Sequence, residues 1–316
     1  MEFYTIGGFN EVGKNMSVLK LNEDDSLIFD CGLFIPALIE NLEKEAVYNE
    51  TTLREAGAVP DDFFIDSLGM RKSIRAILVT HAHLDHVGAI PYLSYRYNCP
   101  VIGTPFTIEV LNSLIEDTAK GYIPNQIKPV SPNSSTIIKG KNKNYEVEFI
   151  NMTHSTIQTA IIAVHTDKGV VIYANDFKFD NNPILGKKPN YERLKELGKE
   201  GVLALIVDSL YSGEERKTPS EKIARAMLEE VLLTVENSNS GIIVTTFSSH
   251  IARIKSIVDF AKQLNRKIIV LGRSMSKYIK AADKIQSAPF IKDINIATYR
   301  NQVERYLKQK SEKIEN

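Results

Sequence analysis

Cysteine is scarce in this sequence. Its 316 residues include two, Cys31 and Cys99, in no CxxC spacing, so there is no disulfide framework to read and a reducing cytosol is the default compartment. Long apolar runs are missing as well: no stretch approaches the roughly 20 consecutive apolar residues of a spanning helix. The first residues, MEFYTIGGFNE, have neither the basic nor the apolar region of a secretory leader. A cytoplasmic protein without membrane association is therefore expected. Net charge is lacking too, because 39 Lys and Arg balance 39 Asp and Glu. Taken alone, that argues against a general nucleic-acid binder. Histidine is rare, with six in total, yet three of them stand within one six-residue stretch.

The charge balance is uneven along the chain. Residues 251–316 hold 15 Lys and Arg against 6 Asp and Glu, so the rest carries the matching acidic excess. A basic C-terminal part beside an acidic metal-binding part suits a polyanionic substrate. A solvated, charged helix face accounts for the same counts equally well. The length allows two domains, each with its own core.

The histidines lie in His81-Ala82-His83-Leu84-Asp85-His86. An apolar run, Ile74 to Thr80, precedes them and reads as a short buried strand. Val87 to Leu93 follows as a helix start, with the helix expected over 87–97. Imidazole and carboxylate are ligands for first-row metals, and four of them within six residues cannot all face one ion. The spacing predicts two adjacent metals, with His81 and His83 on one and Asp85 and His86 on the other. Strand ends are where open α/β folds place active sites.

Strands are expected at 3–6, 16–21 and 26–32. Asp30 ends an apolar run just before a glycine. A carboxylate there either accepts hydrogen bonds or is a simple turn former. Residues 37–70 read as a polar, partly helical excursion. After a strand at 100–102, Thr104 is expected to cap a helix reaching about Asp117, with Pro105 at its first position. Residues 121–135 read as loop. Strands follow at 136–139, 145–151, 158–165 and 169–174, and two of them lead to ligand-type residues, His154 and Asp176. His165 precedes a turn and is expected to be exposed. From Val202 the pattern becomes a parallel α/β unit. An apolar strand ends in Asp208, and a helix from Pro219 lines up Ile223, Met227, Val231 and Val235. A buried strand is expected at 241–246, a helix capped by Ser248, a strand at 267–271, a helix after Gly272, and a charged helix over 299–315. Ser248, Ser249 and His250 at one helix start form a candidate phosphate perch. Arg273 and Ser274 form a second, with ordinary N-capping as the alternative for both.

GGFNEVGKNMSV, DCGLFIP, THAHLDHVGAIPYL, NDFKFD and TTFSSHIARI together resemble the metallo-β-lactamase superfamily, and within it the β-CASP branch and its archaeal-type ribonuclease J family. The similarity runs over nearly the whole chain. It implies an α/β fold in which a metallo-β-lactamase αββα sandwich, residues 1–211, carries an inserted Rossmann-like β-CASP domain, residues 212–316 being its N-terminal part. It implies a zinc-dependent ribonuclease that hydrolyses RNA phosphodiester bonds, as a 5′–3′ exonuclease, an endonuclease or both, with RNA running between the domains, two zinc ions (or manganese), and a homodimer when full length. His81, His83, Asp85, His86, His154 and Asp176 would be the metal ligands, with Asp176 shared. Asp85 would also orient the attacking water, Asp208 would be a catalytic acidic residue, and Asp30 would brace the histidine turn.

Three positions depart from the family. His154-Ser155-Thr156-Ile157-Gln158 replaces an HSxPD pattern. Asn175 replaces a glycine, and Asn is the next best residue for a left-handed backbone. No histidine follows His250, where the family supplies further ones. The expectation is a chain that ends partway through the β-CASP domain, as a fragment or completed by a second polypeptide, with little nuclease activity alone. Two other readings stand beside the ribonuclease: a small-molecule metallo-hydrolase on the same core, and a non-catalytic RNA-binding or assembly subunit.

Overall fold

A computed structural model describes residues 1–41, 48–215, 217–237, 240–298 and 304. The chain divides into two compact units. One comprises Met1–His154, Gln158–Phe179 and Lys187–Arg216; the other comprises Ser155–Ile157, Asp180–Gly186 and the chain from Lys217 onward.

The first unit holds two sheets. In the first, strands β1 (Glu2–Gly7), β2 (Met16–Lys20), β3 (Ser26–Phe29), β4 (Ile74–Val79), β5 (Val101–Gly103) and β6 (Ile127–Pro129) lie in sequence order. The pairings are antiparallel as far as β3 and parallel from β3 to β6. In the second, β7 (Ser134–Lys139), β8 (Asn144–Asn151), β9 (Ala160–Thr166) and β10 (Gly169–Ala174) form an antiparallel meander, and β11 (Val202–Val207) adds in parallel at the edge.

Alternation along the strands decides the layers. Leu27, Phe29, Ala76 and Leu78 point between the sheets, where they meet Val147, Phe149, Ile162, Val164, Val171 and Tyr173. The Phe29 and Tyr173 rings stack at 4.5 Å, a direct link between the two sheets. The intervening residues Ile28, Ile77 and Val79 face outward against helical segments. Those are α1 (Ile35–Asn41), α2 (Glu50–Glu55), α3 (Phe63–Ser67), α4 (Leu84–Val87), α5 (Ile90–Leu93) and α6 (Pro105–Glu116). Leu53, Ile65, Val87, Ile90, Leu93 and Leu111 from these segments fill the outer layer, and Cys31 is buried among them. On the far side, α7 (Tyr191–Glu200) packs Leu194 and Leu197 against Ile150, Ile161, Val170 and Ile172. The unit is an αββα sandwich. Each fully buried Leu, Ile or Phe contributes about 1.5–3 kcal/mol, so the core residues of β3 and β4 hold the loops above them in place.

Several sequence expectations are corrected. The helix expected at 87–97 is two short turns, α4 and α5, followed by a 3-10 turn at Ser94–Arg96. Gly88 lies at the break, where a Cβ would come within 2.8 Å of Leu33. Residues 121–135 contain β6 and the start of β7, because the hydrogen-bonding edge of β5 recruits them. Thr104 stands at the N-cap of α6 but bonds Thr107 at 3.0 Å instead of the backbone. The Phe106 N–H is met by Gln158 Oε1 at 2.9 Å.

In the second unit, α8 (Glu221–Leu233), α9 (Ile251–Gln263) and α10 (Arg273–Lys284) accompany a parallel pair, β12 (Ile268–Leu271) and β13 (Ile294–Ala297). Ile251, Ile254, Val258 and Phe260 of α9 and Tyr278, Ile279 and Ala282 of α10 are buried. Asp180 ties down the start of α8, with Oδ1 accepting from Ser220 Oγ at 2.6 Å and Oδ2 from Glu221 N at 2.8 Å. The Glu221 carboxylate takes Arg253 in a forked pair at 2.6 and 2.9 Å and lies 3.3 Å from His250 Nε2.

The strand expected at 241–246 is extended but joins no ladder among the described residues, and Ile243 there is 93% exposed. Ile223, Met227, Val231 and Val235 form a helical stripe but are likewise exposed. Periodicity marks such faces; a packed neighbour is what buries them. The charged helix expected at 299–315 lies outside the described residues apart from Glu304.

Glu221 links α8 to α9 through charge. Burial opposes its ionisation, but the bonds from His250 and Arg253 prevail and draw the carboxyl down from its ordinary 4.5 to about 2. The folded value is the lower one. The linkage is therefore fully present above pH 4.5 and is lost as pH falls toward 2. Glu221→Gln should melt below the wild type at pH 7, and the difference in melting temperature should narrow steadily once the pH drops below about 4.5.

Candidate metal centre

The centre begins where β3 and β4 end side by side. Asp30 follows β3 with a φ of 57°, a left-handed turn that aims its carboxylate sideways at the neighbouring chain. It is fully buried. Its Oδ1 accepts from Thr80 N at 2.8 Å and Thr80 Oγ1 at 3.0 Å, and its Oδ2 lies 3.0 Å from His86 Nδ1. Thr80 Oγ1 also lies 3.0 Å from His81 Nδ1. Protons on these two Nδ1 atoms satisfy both contacts, so the opposite ring nitrogens of His81 and His86 are presented as electron-pair donors.

Backbone bonds then fold the histidine turn over the Asp30-Cys31-Gly32 segment. Cys31 N donates to His86 O at 2.8 Å, and Leu33 N to Leu84 O at 2.9 Å. The approach is so close that a Cβ on Gly32 would lie 1.6 Å from Asp85 O. Asn15 closes the other side, its backbone N and its Nδ2 each donating to Asp85 O at 3.0 Å.

Two donor sets result. His81 Nε2 is 3.0 Å from His83 Nδ1, and His154 Nε2 is 3.2 Å from the same atom. A tetrahedral ion with Zn–N bonds of about 2.0–2.1 Å sets its donors roughly 3.3 Å apart, so this is the spacing that an ion requires. Asp176 joins them: its Oδ2 lies 4.0 Å from His81 Nε2 and 3.7 Å from His154 Nε2. The same Oδ2 is 3.6 Å from His86 Nε2, which in turn is 3.4 Å from Asp85 Oδ2. Thus His81, His83, His154 and Asp176 form one set, Asp85, His86 and Asp176 the other, and one carboxylate oxygen belongs to both.

The electrostatics match this purpose. Burial, then the neighbouring imidazoles, lowers His81 well below its ordinary value, and the same causes bring His83 to about 3. Both rings are neutral at pH 7, as ligation requires. Burial opposes ionisation of Asp176, but His86 and the other imidazoles outweigh it and hold the carboxyl at about 2. Burial opposes a charge on His86, but Asp30 and Asp85 outweigh it and raise that imidazole well above its ordinary value, so an ion there would displace the Nε2 proton. Nitrogen donors with two outer carboxylates fit a borderline divalent ion such as zinc.

The remaining expected residues fall elsewhere. Asp208 follows β11 exposed, its Oδ1 accepting from Leu210 N at 2.9 Å. It lines a cleft of about 350 Å³ together with Asp85, Asp176 and the loop Gly8–Gly13. Ser248, Ser249, His250, Arg273 and Ser274 belong to the second unit. There Ser248 Oγ lies 3.0 Å from Ser274 Oγ, so the starts of α9 and α10 adjoin. Ser248 does not cap α9; its N-cap is His250. His165 is half-buried, 2.5 Å from Glu148 Oε1, because Glu148 and Arg193 draw the β9 end inward. Asn175 is not among the residues of positive φ, and its Nδ2 donates to Tyr173 OH at 3.0 Å.

Sequence reasoning passed over Asn15, Thr80 and Gly32. Thr80 adjoins the histidine stretch, which is a usable signal. Asn15 and Gly32 act through backbone pairing that no local pattern reports.

Comparison with known proteins agrees with this geometry. Residues 10–188 match the family model for the metallo-β-lactamase superfamily, and residues 239–310 match that for the ribonuclease J β-CASP domain. Ribonuclease J of Methanocaldococcus jannaschii is 38% identical over 98% of this chain and 68% of its own length. Ribonuclease J of Pyrococcus abyssi is 38% identical over 100% of this chain and 68% of its own. A crystal structure of an Enterococcus faecalis protein of unknown function superposes with a TM-score of 0.61 at 17% identity, covering 95% of this chain and 74% of that one, and supports the fold alone.

Asp30→Asn tests the brace. Asn tolerates the left-handed backbone and still accepts from Thr80, but it removes the charge behind His86. Metal affinity, read by competition with a chromogenic chelator, should fall about 10–100-fold while the far-ultraviolet circular dichroism stays unchanged.

Proposed function

Because this chain belongs to the ribonuclease J family of the metallo-β-lactamase superfamily, we propose that it is a zinc-dependent ribonuclease whose catalytic centre is the pair of donor sets sharing Asp176. That shared carboxylate is the observation that carries the proposal. A single-ion hydrolase has no need for a carboxylate oxygen within 4.0 Å of ligands on both sides. His81, His83 and His154 would hold one ion, Asp85 and His86 the other, with Asp176 between them. When bound, such a pair lowers the pKa of a water and offsets the charge that develops on a phosphate under attack. Manganese would suit the oxygen-richer set.

The protein's own groups supply the rest. Asp30 and Thr80 keep the imidazoles in their ligating tautomers. Asp85, at the cleft edge, accepts a hydrogen bond from the attacking water and orients it. Asp208, on the same cleft, is the acidic group available to manage a proton on the leaving side. In the second unit, the adjoining starts of α9 and α10 direct two helix dipoles toward Ser248 and Ser274. Exposed Arg273 adds a full charge there. Ser249 is buried and His250 faces Glu221, so Arg273 and Ser274 beside Ser248 are the groups left to take an RNA phosphate, in keeping with the basic excess of residues 251–316.

Zinc analysis of the purified protein should find about two ions per chain, and Asp176→Asn should lose both rather than one. Metal-loaded protein should act on 5′-monophosphorylated RNA, at the low level expected from the sequence, and not on a thioester. Turnover of a thioester with no action on RNA would sink the ribonuclease reading. RNA affinity should also fall with salt, and Arg273→Ala should reduce the log–log slope by about 0.7 for all sequences alike.

A further inference from the structure

The loop that walls the metal cleft carries a feature that metal chemistry does not use. Residues Gly8 to Gly13 run from β1 toward β2, and the loop is firmly held. Gly8 N donates to Glu11 Oε1 at 3.1 Å, Lys14 N donates to Leu33 O at 3.0 Å, and Asn15 grips the Asp85 carbonyl. Both bounding glycines have positive φ, 86° at Gly8 and 134° at Gly13. A Cβ at Gly8 would lie 2.4 Å from Asn15 Oδ1, so the loop is pressed onto the residue that contacts the histidine turn. Phe9 stands on this anchored loop, 52% exposed, and lines the same cleft as Asp85 and Asp176. One side of its ring is supported by Phe3, edge to face at 6.5 Å.

An aromatic ring left half in water beside a strongly polar centre forgoes part of its burial energy. The anchored loop holds it at the cleft. A phenyl face there is a platform on which a nucleobase can stack, and stacking is indifferent to which base arrives. We propose that Phe9 is a substrate-positioning residue that stacks one nucleobase beside the metal centre, so that the cleft requires a base-bearing strand and not merely a phosphodiester. The proposal rests on the ribonuclease reading given above. Asp85 and Asp176 belong to the ions and the phosphate; Phe9 sets which nucleotide of the strand lies against them.

The test is a binding cycle. Metal-loaded wild type, Phe9→Ala and Phe9→Trp are titrated by fluorescence anisotropy with a cleavage-resistant 2′-O-methyl RNA oligomer. A matching set carries a single abasic site moved along the strand. Phe9→Ala should weaken the intact oligomer about 10-fold, within the range for loss of one stacked base, and Phe9→Trp should bind like wild type. At one abasic position wild type should lose the same factor and Phe9→Ala should lose nothing further. Penalties that add at every position, or equal binding by wild type and Phe9→Ala, would overturn the assignment while leaving the ribonuclease reading intact. A change in oligomeric state on Phe9→Ala, without base-dependent affinity, would show that protein covers this ring and would overturn it too. Absence of RNA binding by the wild type would defeat both readings at once.

Discussion

A buried carboxylate that spends all its hydrogen bonds on one turn holds this structure together. Sealing an ionised Asp30 away from water costs several kcal/mol unless donors replace the lost water. Its donors are Thr80 N, Thr80 Oγ1 and His86 Nδ1, all from the stretch that carries the ligands. The charge and the turn therefore stabilise each other, and neither is favourable alone. Their meeting is arranged one layer down. Phe29 pairs with Leu78 in the parallel register, which brings the end of β3 beside the end of β4. The Phe29 ring then stacks on Tyr173, and three residues beyond Tyr173 the chain delivers Asp176.

The ligands are divided between the sheets. His81, His83, Asp85 and His86 leave β4 in one sheet; His154 and Asp176 leave β8 and β10 in the other. No fragment of the sandwich holds a full donor set. Ion binding reports on closure of the inter-sheet core, and its free energy adds to that of the folded unit. His81 and His154 each bring Nε2 to within 3.0–3.2 Å of His83 Nδ1. The cores above and below are what hold them there.

Much of this was legible in the chain. The clustered histidines sit in one segment after an apolar run, so strand, turn and ligand types are all local facts. Asp30 was legible through the family resemblance, since a carboxylate that ends a strand before a glycine serves as readily as a simple turn former. His154 and Asp176 came from strand ends together with family resemblance. Asn15 and Gly32 were not legible, because they act through backbone contacts with Asp85, distant in sequence. The cap on α6 was assigned to Thr104, whose hydroxyl found Thr107 first. The stripe on α8 and the run at 241–246 show a different limit. Period and apolarity describe a face, whereas burial depends on what packs against it.

Cys31 follows Asp30 directly, yet its sulfur takes no part in the centre. It lies in the helix-side layer with Leu53, Ile65 and Val87, and burial first, then nearby Asp62, raises its thiol well above the ordinary value. Only the thiolate binds zinc well or reacts readily with peroxide. Oxidative stress that reaches the cleft thus meets imidazole and carboxylate, which do not climb the sulfur oxidation ladder, while the Cys31 thiol stays protonated and buried.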